Sequence, residues 1–163
     1  MKVIRKNVFE TNSSSMHTVT VRGKEDINNH YHINDIIKVY PDEYGWYGDP
    51  CDYFDSKLAY AMSMVLHTEY PGFNQYDEMF EVDQDILEDL QGYKILIDAI
   101  REHGRCEKIV VGRTRGYYPY GYIDYQSYED YHSLQDFLDD WNVDAERFLF
   151  DDGVTVWIDN DNH

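Results

Sequence analysis

Apolar and polar residues alternate at both ends of the chain and recur at helical spacing through its middle. Val3 with Arg5, then Val19 and Val21, predict strands over residues 2–9 and 17–22, joined as a hairpin. IIKVY, 36–40, reads as a third strand stopped by Pro41. After a Gly-, Pro- and aromatic-rich loop, Asp55 or Ser56 is placed to cap a helix running to about Glu69. Its Leu58, Ala61, Met62, Val65 and Leu66 share a face. From about Asp83 to His103, Ile86, Leu90, Tyr93, Ile97 and Ile100 recur at helical steps and predict one long helix. Gly104 stands where a left-handed residue would end that helix, and Gly92 in its middle suits a close packing contact. EKIVVGR, 107–113, reads as a central strand, and YIDY, 122–125, as a further one. Ser133 precedes Leu134, Phe137, Leu138 and Trp141, the pattern of a capped amphipathic helix. FLF-DDG-VTVWID, 148–159, predicts a closing hairpin through Asp152-Gly153. This order of elements predicts an α+β fold: a single domain over 1–163, with an antiparallel or mixed sheet and two to three helices packed on one face.

Charge changes the picture more than composition does. The net charge is −18, and it is unevenly placed. Residues 42–90 carry one Lys/Arg against thirteen Asp/Glu and residues 116–163 one against twelve, whereas 1–41 and 91–115 are mildly basic. Such a chain repels nucleic-acid phosphate over most of its surface, which argues against direct binding of duplex nucleic acid, and it attracts basic partners. Sixteen tyrosines supply apolar area with a polar tip, suited to wet interfaces as well as cores. Cys51 and Cys106 form no CxxC pattern, so a reducing cytoplasm is the expected setting, with a single disulfide left open. The N-terminus has no long apolar run and no segment approaches eighteen apolar residues, so neither a signal peptide nor a membrane span is expected.

ETNSSSMH, 10–17, gathers a carboxylate, an amide, hydroxyls and an imidazole in a hairpin connection. The favoured expectation is structural: Thr11, Asn12 and Ser13 fold their side chains onto nearby backbone as a rigid turn. The chemical alternative is a small enzyme or ligand-binding domain. It uses Glu10, Asn12, Ser13, Ser15 and His17, joined by Asp124, Gln126 and Ser127 from the later strand. Glu10 or Asp124 would then be general base or orienter, and His17 a proton relay. No GxSxG elbow, P-loop, GxGxxG or catalytic-cysteine signature is present, and no cofactor is expected. The histidines are scattered without zinc spacing, and DNDNH at the end lacks the glycine and closing glutamate of a calcium loop, so no metal site is expected. Arg105, Lys108, Arg113 and Arg115, followed by Tyr117, Tyr118, Tyr120 and Tyr122, form the one patch where an acidic ligand or short single strand would land.

VFETNSSSMH, EYGWYGDP, DSKLAYAM, YIDYQS, FLF and the terminal DNDN, taken together, resemble a family of uncharacterised bacteriophage and prophage-type proteins that open with FETNSSS, one residue, then His. The resemblance runs from about residue 4 to residue 162 and implies a phage-type context, hence a bacterial cytoplasm, without an activity. The family usually has Asp-His-Gln-Ser where this chain has Asp124-Tyr125-Gln126-Ser127, so any role of that histidine is not open to this chain.

Duplex DNA presents one charge per roughly 1.7 Å of axis. An acidic protein of this charge is therefore expected to bind a basic partner as a nucleic-acid mimic, inhibiting a host nucleic-acid-handling or defence protein. The expected interface lies on two predicted helices, one bearing Asp85, Glu88 and Asp89 and the other Asp136, Asp139 and Asp140. Each such face also suits the solvated side of an amphipathic helix.

Overall fold

Helix α1, Phe54–Glu69, organises the molecule because it is buried on most of its sides. Eleven of its sixteen residues are buried, which makes it a central rather than a surface helix. Ser56 starts it: its hydroxyl accepts from the Tyr53 N–H (3.2 Å) and donates to the Tyr53 carbonyl (2.9 Å). The computed structural model describes residues 2–4, 15–21, 31–44, 50–115, 117–123 and 131–160. Among them are eight strands and five helices, an α+β fold.

The strands form one antiparallel sheet and two parallel ladders. β1 (Lys2–Ile4), β2 (Ser15–Val21), β8 (Val154–Asn160) and β5 (Pro50–Cys51) lie in the order β1-β2-β8-β5. β1 pairs with β2 with Val3 opposite Thr20, so the two strands of the predicted hairpin do pair. β3 (Ile36–Val39) runs parallel to β6 (Lys108–Val111), and β4 (Glu43–Tyr44) parallel to β7 (Tyr122–Ile123). The segment read as a central strand, β6, is therefore one half of a two-stranded ladder. α1 packs against β3, β5 and β7 as well as against three helices.

The long helix predicted over 83–103 is two helices, α2 (Gln84–Asp89) and α3 (Gln91–Arg101), broken at an extended Leu90. The break has a tertiary cause. Glu69, in the last turn of α1, accepts the Gly92 N–H on one carboxylate oxygen (2.8 Å) and the Leu134 N–H on the other (3.2 Å). One side chain thus caps α3 and also α4, Leu134–Trp141, whose Ser133 hydroxyl accepts from Asp136 N–H (3.1 Å). Gly92 does mark a close approach, since a Cβ there would lie 2.4 Å from Val65 Cγ2. Gly92→Ala is accordingly expected to force α1 and α3 apart and lower stability by about 1–3 kcal/mol, despite alanine's better helix propensity. A urea melt showing the variant equal to or firmer than the parent would refute this contact. Gly104 does not take the left-handed conformation expected of it. Its value is space, with Ile33 Cβ 2.9 Å from where a Cβ would sit.

The closing hairpin is also corrected. Phe148, Leu149 and Phe150 belong to a helix, α5 (Ala145–Phe150), started by Asp144, whose carboxylate accepts the Arg147 N–H (2.7 Å). Asp152-Gly153 does turn the chain, but from helix into strand, with Val154 N–H donating to the Asp151 carbonyl (3.0 Å). Burial explains the choice: Phe148, Leu149 and Phe150 are all fully buried, and Phe150 stacks on Phe54 and on His103. Cys51 and Cys106 are both buried and no disulfide joins them. No helix among the described residues is long and apolar enough to cross a membrane.

Candidate functional site

The acidic residues proposed as an interface sit on two helices, α2 and α4; Glu69 caps α4 and also α3, the helix that follows α2. α2 ends at Asp89, shortly before the Gly92 N–H held by that carboxylate, and Asp136 lies in the first turn of α4, whose Leu134 N–H it also holds. Asp85, Asp89, Asp136, Asp139 and Asp140 are exposed, and Glu88 is half-buried. Their positions are fixed from below by apolar anchors: Leu87 in α2, and Leu134, Phe137, Leu138 and Trp141 in α4, are buried.

Local bonds stiffen these faces without neutralising them. Gln84 Nε2 donates to Glu88 Oε1 (2.8 Å), Gln135 Nε2 to Asp139 Oδ1 (2.7 Å) and the His132 N–H to Asp136 Oδ2 (3.2 Å). Lys94 lies nearby, but its ammonium donates to the Asp89 carbonyl (3.0 Å). Asp85, Glu88, Asp89, Asp136 and Asp139 form no ion pair among the described residues, whereas Asp35, Asp98, Glu107, Glu146 and Asp151 do. A cation brought by another molecule meets carboxylates whose charge is not already compensated.

Part of the arginine and tyrosine patch is engaged by the protein itself. Arg105 pairs with Glu107 (3.0 Å) and Asp35 (3.6 Å), and Arg113 donates to the Glu78 carbonyl (2.8 Å). Tyr118 stacks on Tyr122 and meets Tyr117 and Tyr76 edge-on. Tyr76 and Tyr117 remain broadly exposed, as do Arg105, Arg113 and Arg115.

For the polar hairpin the placement is partial. Glu10, Asn12, Ser13, Asp124, Gln126 and Ser127 lie outside the described residues. Ser15 and His17 are on β2, opposite Asn160 and Ile158 of β8. β7, which leads into Asp124, pairs with β4, so among the described residues the strands flanking the two motifs are not hydrogen-bonded neighbours. No group of three or more His, Cys, Asp or Glu side chains able to hold a metal ion occurs among the described residues.

Two buried polar arrangements escaped the sequence reading. Lys57, fully buried on α1, donates to the Asp151 carbonyl (2.8 Å), and burial lowers its pKa against the pull of Asp152, Asp151 and Asp52. Asp151, equally buried, pairs with Arg147 Nε (3.0 Å) and accepts the Gly153 N–H (2.7 Å). His67 packs on Phe73 at 4.8 Å and hydrogen-bonds the Gly121 backbone, while burial pulls its pKa down to about 4. The signal for Lys57 was present in the sequence: it stands directly before the apolar run Leu58–Met62 of α1.

The described residues define an α+β protein that carries exposed acidic side chains on α2 and α4. Compared with known proteins, the chain matches no family model, no curated protein and no solved structure.

Proposed function

We propose that the protein acts by binding a basic protein partner through the carboxylates of α2 and α4, occupying a surface that the partner otherwise offers to nucleic-acid phosphate. The observation that carries this reading is the set of carboxylates on α2 and α4, exposed save for the half-buried Glu88, none of the five named above compensated by an ion pair among the described residues. A net charge of −18 adds long-range attraction, which raises the encounter rate with a cationic groove. The FETNSSS-x-His opening supports a phage-type origin, and with it a bacterial host's nucleic-acid-handling or defence protein as the partner, met in the cytoplasm.

The test is a titration against candidate host nucleases and repressors at rising salt. The parent is compared with a variant carrying Asp85→Asn, Glu88→Gln, Asp89→Asn, Asp136→Asn, Asp139→Asn and Asp140→Asn. Binding is expected to weaken as salt rises, and the neutralised variant to bind at least about tenfold more weakly with a flatter salt dependence. Affinity indifferent to ionic strength, or equal for parent and variant, would remove the helices from the interface.

A further inference from the structure

The ladder of β3 and β6 has two outer edges, and the protein treats them differently. On β6 the outward backbone groups of Ile109 are capped: its N–H donates to the Tyr93 hydroxyl (3.0 Å) and its carbonyl accepts from Gln84 Nε2 (2.9 Å). On β3, the Asp35 and Val39 carbonyls accept from Glu107 and Gly112 of the β6 side (2.6 and 2.7 Å). Alternation then aims the backbone N–H and C=O groups of Ile36, Lys38 and Tyr40 out of the opposite edge. Among the described residues no strand pairs there.

A groove of about 280 Å³ runs along that edge, lined by residues 37–40 and by Asp55, Leu58 and Ala59 of α1. Neighbouring residues of a strand point to opposite faces, so a lining that takes in four in succession follows the strand's edge and not one of its faces. No β6 residue lines it, which places it on the outer side. Ile36 and Tyr40, at the two ends of this edge, are half exposed (50% and 51%).

We propose that this groove takes an extended segment of the basic partner as an added strand, hydrogen-bonded to Ile36, Lys38 and Tyr40 and read by the facing side of α1. This rests on the reading that the partner is basic, and it names how part of that partner is held. Strand addition beside a helix is an established mode of peptide capture, in which main-chain bonds give affinity and alternate side chains give specificity. From Asp55 to Ala59 the helix rises about 6 Å, and alternate residues of a strand are spaced by about 6.6 Å. The segment that fits has an apolar side chain against Leu58 and Ala59 and, two positions away on the same face, a lysine or arginine against the exposed Asp55. A second copy of this chain is the disfavoured occupant. It carries the same −18 charge, and the edge is short and ends at Pro41, features that discourage pairing between like edges.

The probe is an acetylated seven-residue peptide of threonines carrying one valine and, two positions on, one lysine. Amide exchange and chemical shifts at Ile36, Lys38 and Tyr40 are followed by NMR, with affinity measured in parallel. Expected are slowed exchange at these three amides and a loss of at least about tenfold in affinity on Asp55→Lys or on replacing the peptide lysine with glutamate. N-methylation of the alternate peptide nitrogens facing β3 should abolish binding, and methylation of the others should spare it. Undisturbed amides at 36, 38 and 40, or equal binding of the glutamate peptide, would overturn the proposal. So would edge protection that grows with protein concentration without peptide, which would assign the groove to a second copy. The sixfold-neutralised helix variant separates this idea from the wider one. Peptide binding lost there but indifferent to Asp55→Lys would sink the groove and leave the helical interface standing. Peptide binding retained there while the parent ignores every basic protein would do the reverse.

Discussion

Asp151→Ala is expected to lower the unfolding free energy by about 3–5 kcal/mol, whereas Lys57→Met, a few ångströms away, is expected to cost less than about 1 kcal/mol. Both side chains are fully buried, so the contrast rests on what each leaves behind. Removing the Asp151 carboxylate strands the Arg147 guanidinium, which is largely buried and held at 3.0 Å, and orphans the Gly153 N–H that fixes the turn into β8. Removing Lys57 strands nothing comparable. The Asp151 carbonyl it serves also accepts the Val154 N–H at 3.0 Å, and Asp151 keeps Arg147. Burial already penalises the charged ammonium, as its lowered pKa records, so an apolar side chain of similar length sheds that penalty while filling the same space. Urea denaturation of the two variants checks the pair. If Lys57→Met proves as damaging as Asp151→Ala, the lysine is the aspartate's essential counter-ion, and Arg147 is not.

How much of this was legible in the sequence depends on whether the cause was local. Ser133 with Leu134, Phe137, Leu138 and Trp141 was readable because cap and apolar stripe lie within one short segment. α1 was readable for the same reason. The break at Leu90 was not, because the carboxylate that starts α3 belongs to Glu69, in the helix before α2 and α3. Phe148-Leu149-Phe150 failed differently. A short apolar run fits a buried strand or a buried helix equally well, and Asp144, acting as N-cap, was the signal that should have decided it. The acidic residues on α2 and α4 were legible from charge spacing alone, but the link that Glu69 makes between α3 and α4 needed tertiary structure. That β3 has one partner strand among the described residues was invisible for a related reason: the number of partners a strand has is not encoded in the strand.

Acidification supplies the second large effect, through His67. Its ring lies near the end of α1, packed on Phe73 and bonded to the backbone of Gly121, a residue with positive φ (83°) where the chain turns into β7. Burial lowers its pKa from 6.5 to about 4. As pH falls through 6.5 the unfolded chain's imidazole takes up a proton, while the folded ring stays neutral until about pH 4. The unfolded state therefore binds more protons across that window, so stability present above pH 6.5 is lost as pH falls towards 4, by about 3 kcal/mol in all. Carboxylates titrate over the lower part of the same range, so the parent's profile alone does not isolate the ring. His67→Gln does, since glutamine keeps an N–H for the Gly121 backbone and has no charge to gain. The variant is expected to be less stable than the parent at pH 7, where its looser fit against Phe73 dominates. Between pH 7 and pH 4.5, however, it should lose about 2–3 kcal/mol less than the parent does, bringing the two curves together or crossing them. Denaturant melts at those two pH values measure both differences. Parallel losses in parent and variant would mean that His67 keeps an ordinary pKa in the folded protein and that the contact with Phe73 opens readily enough to let the ring reach water.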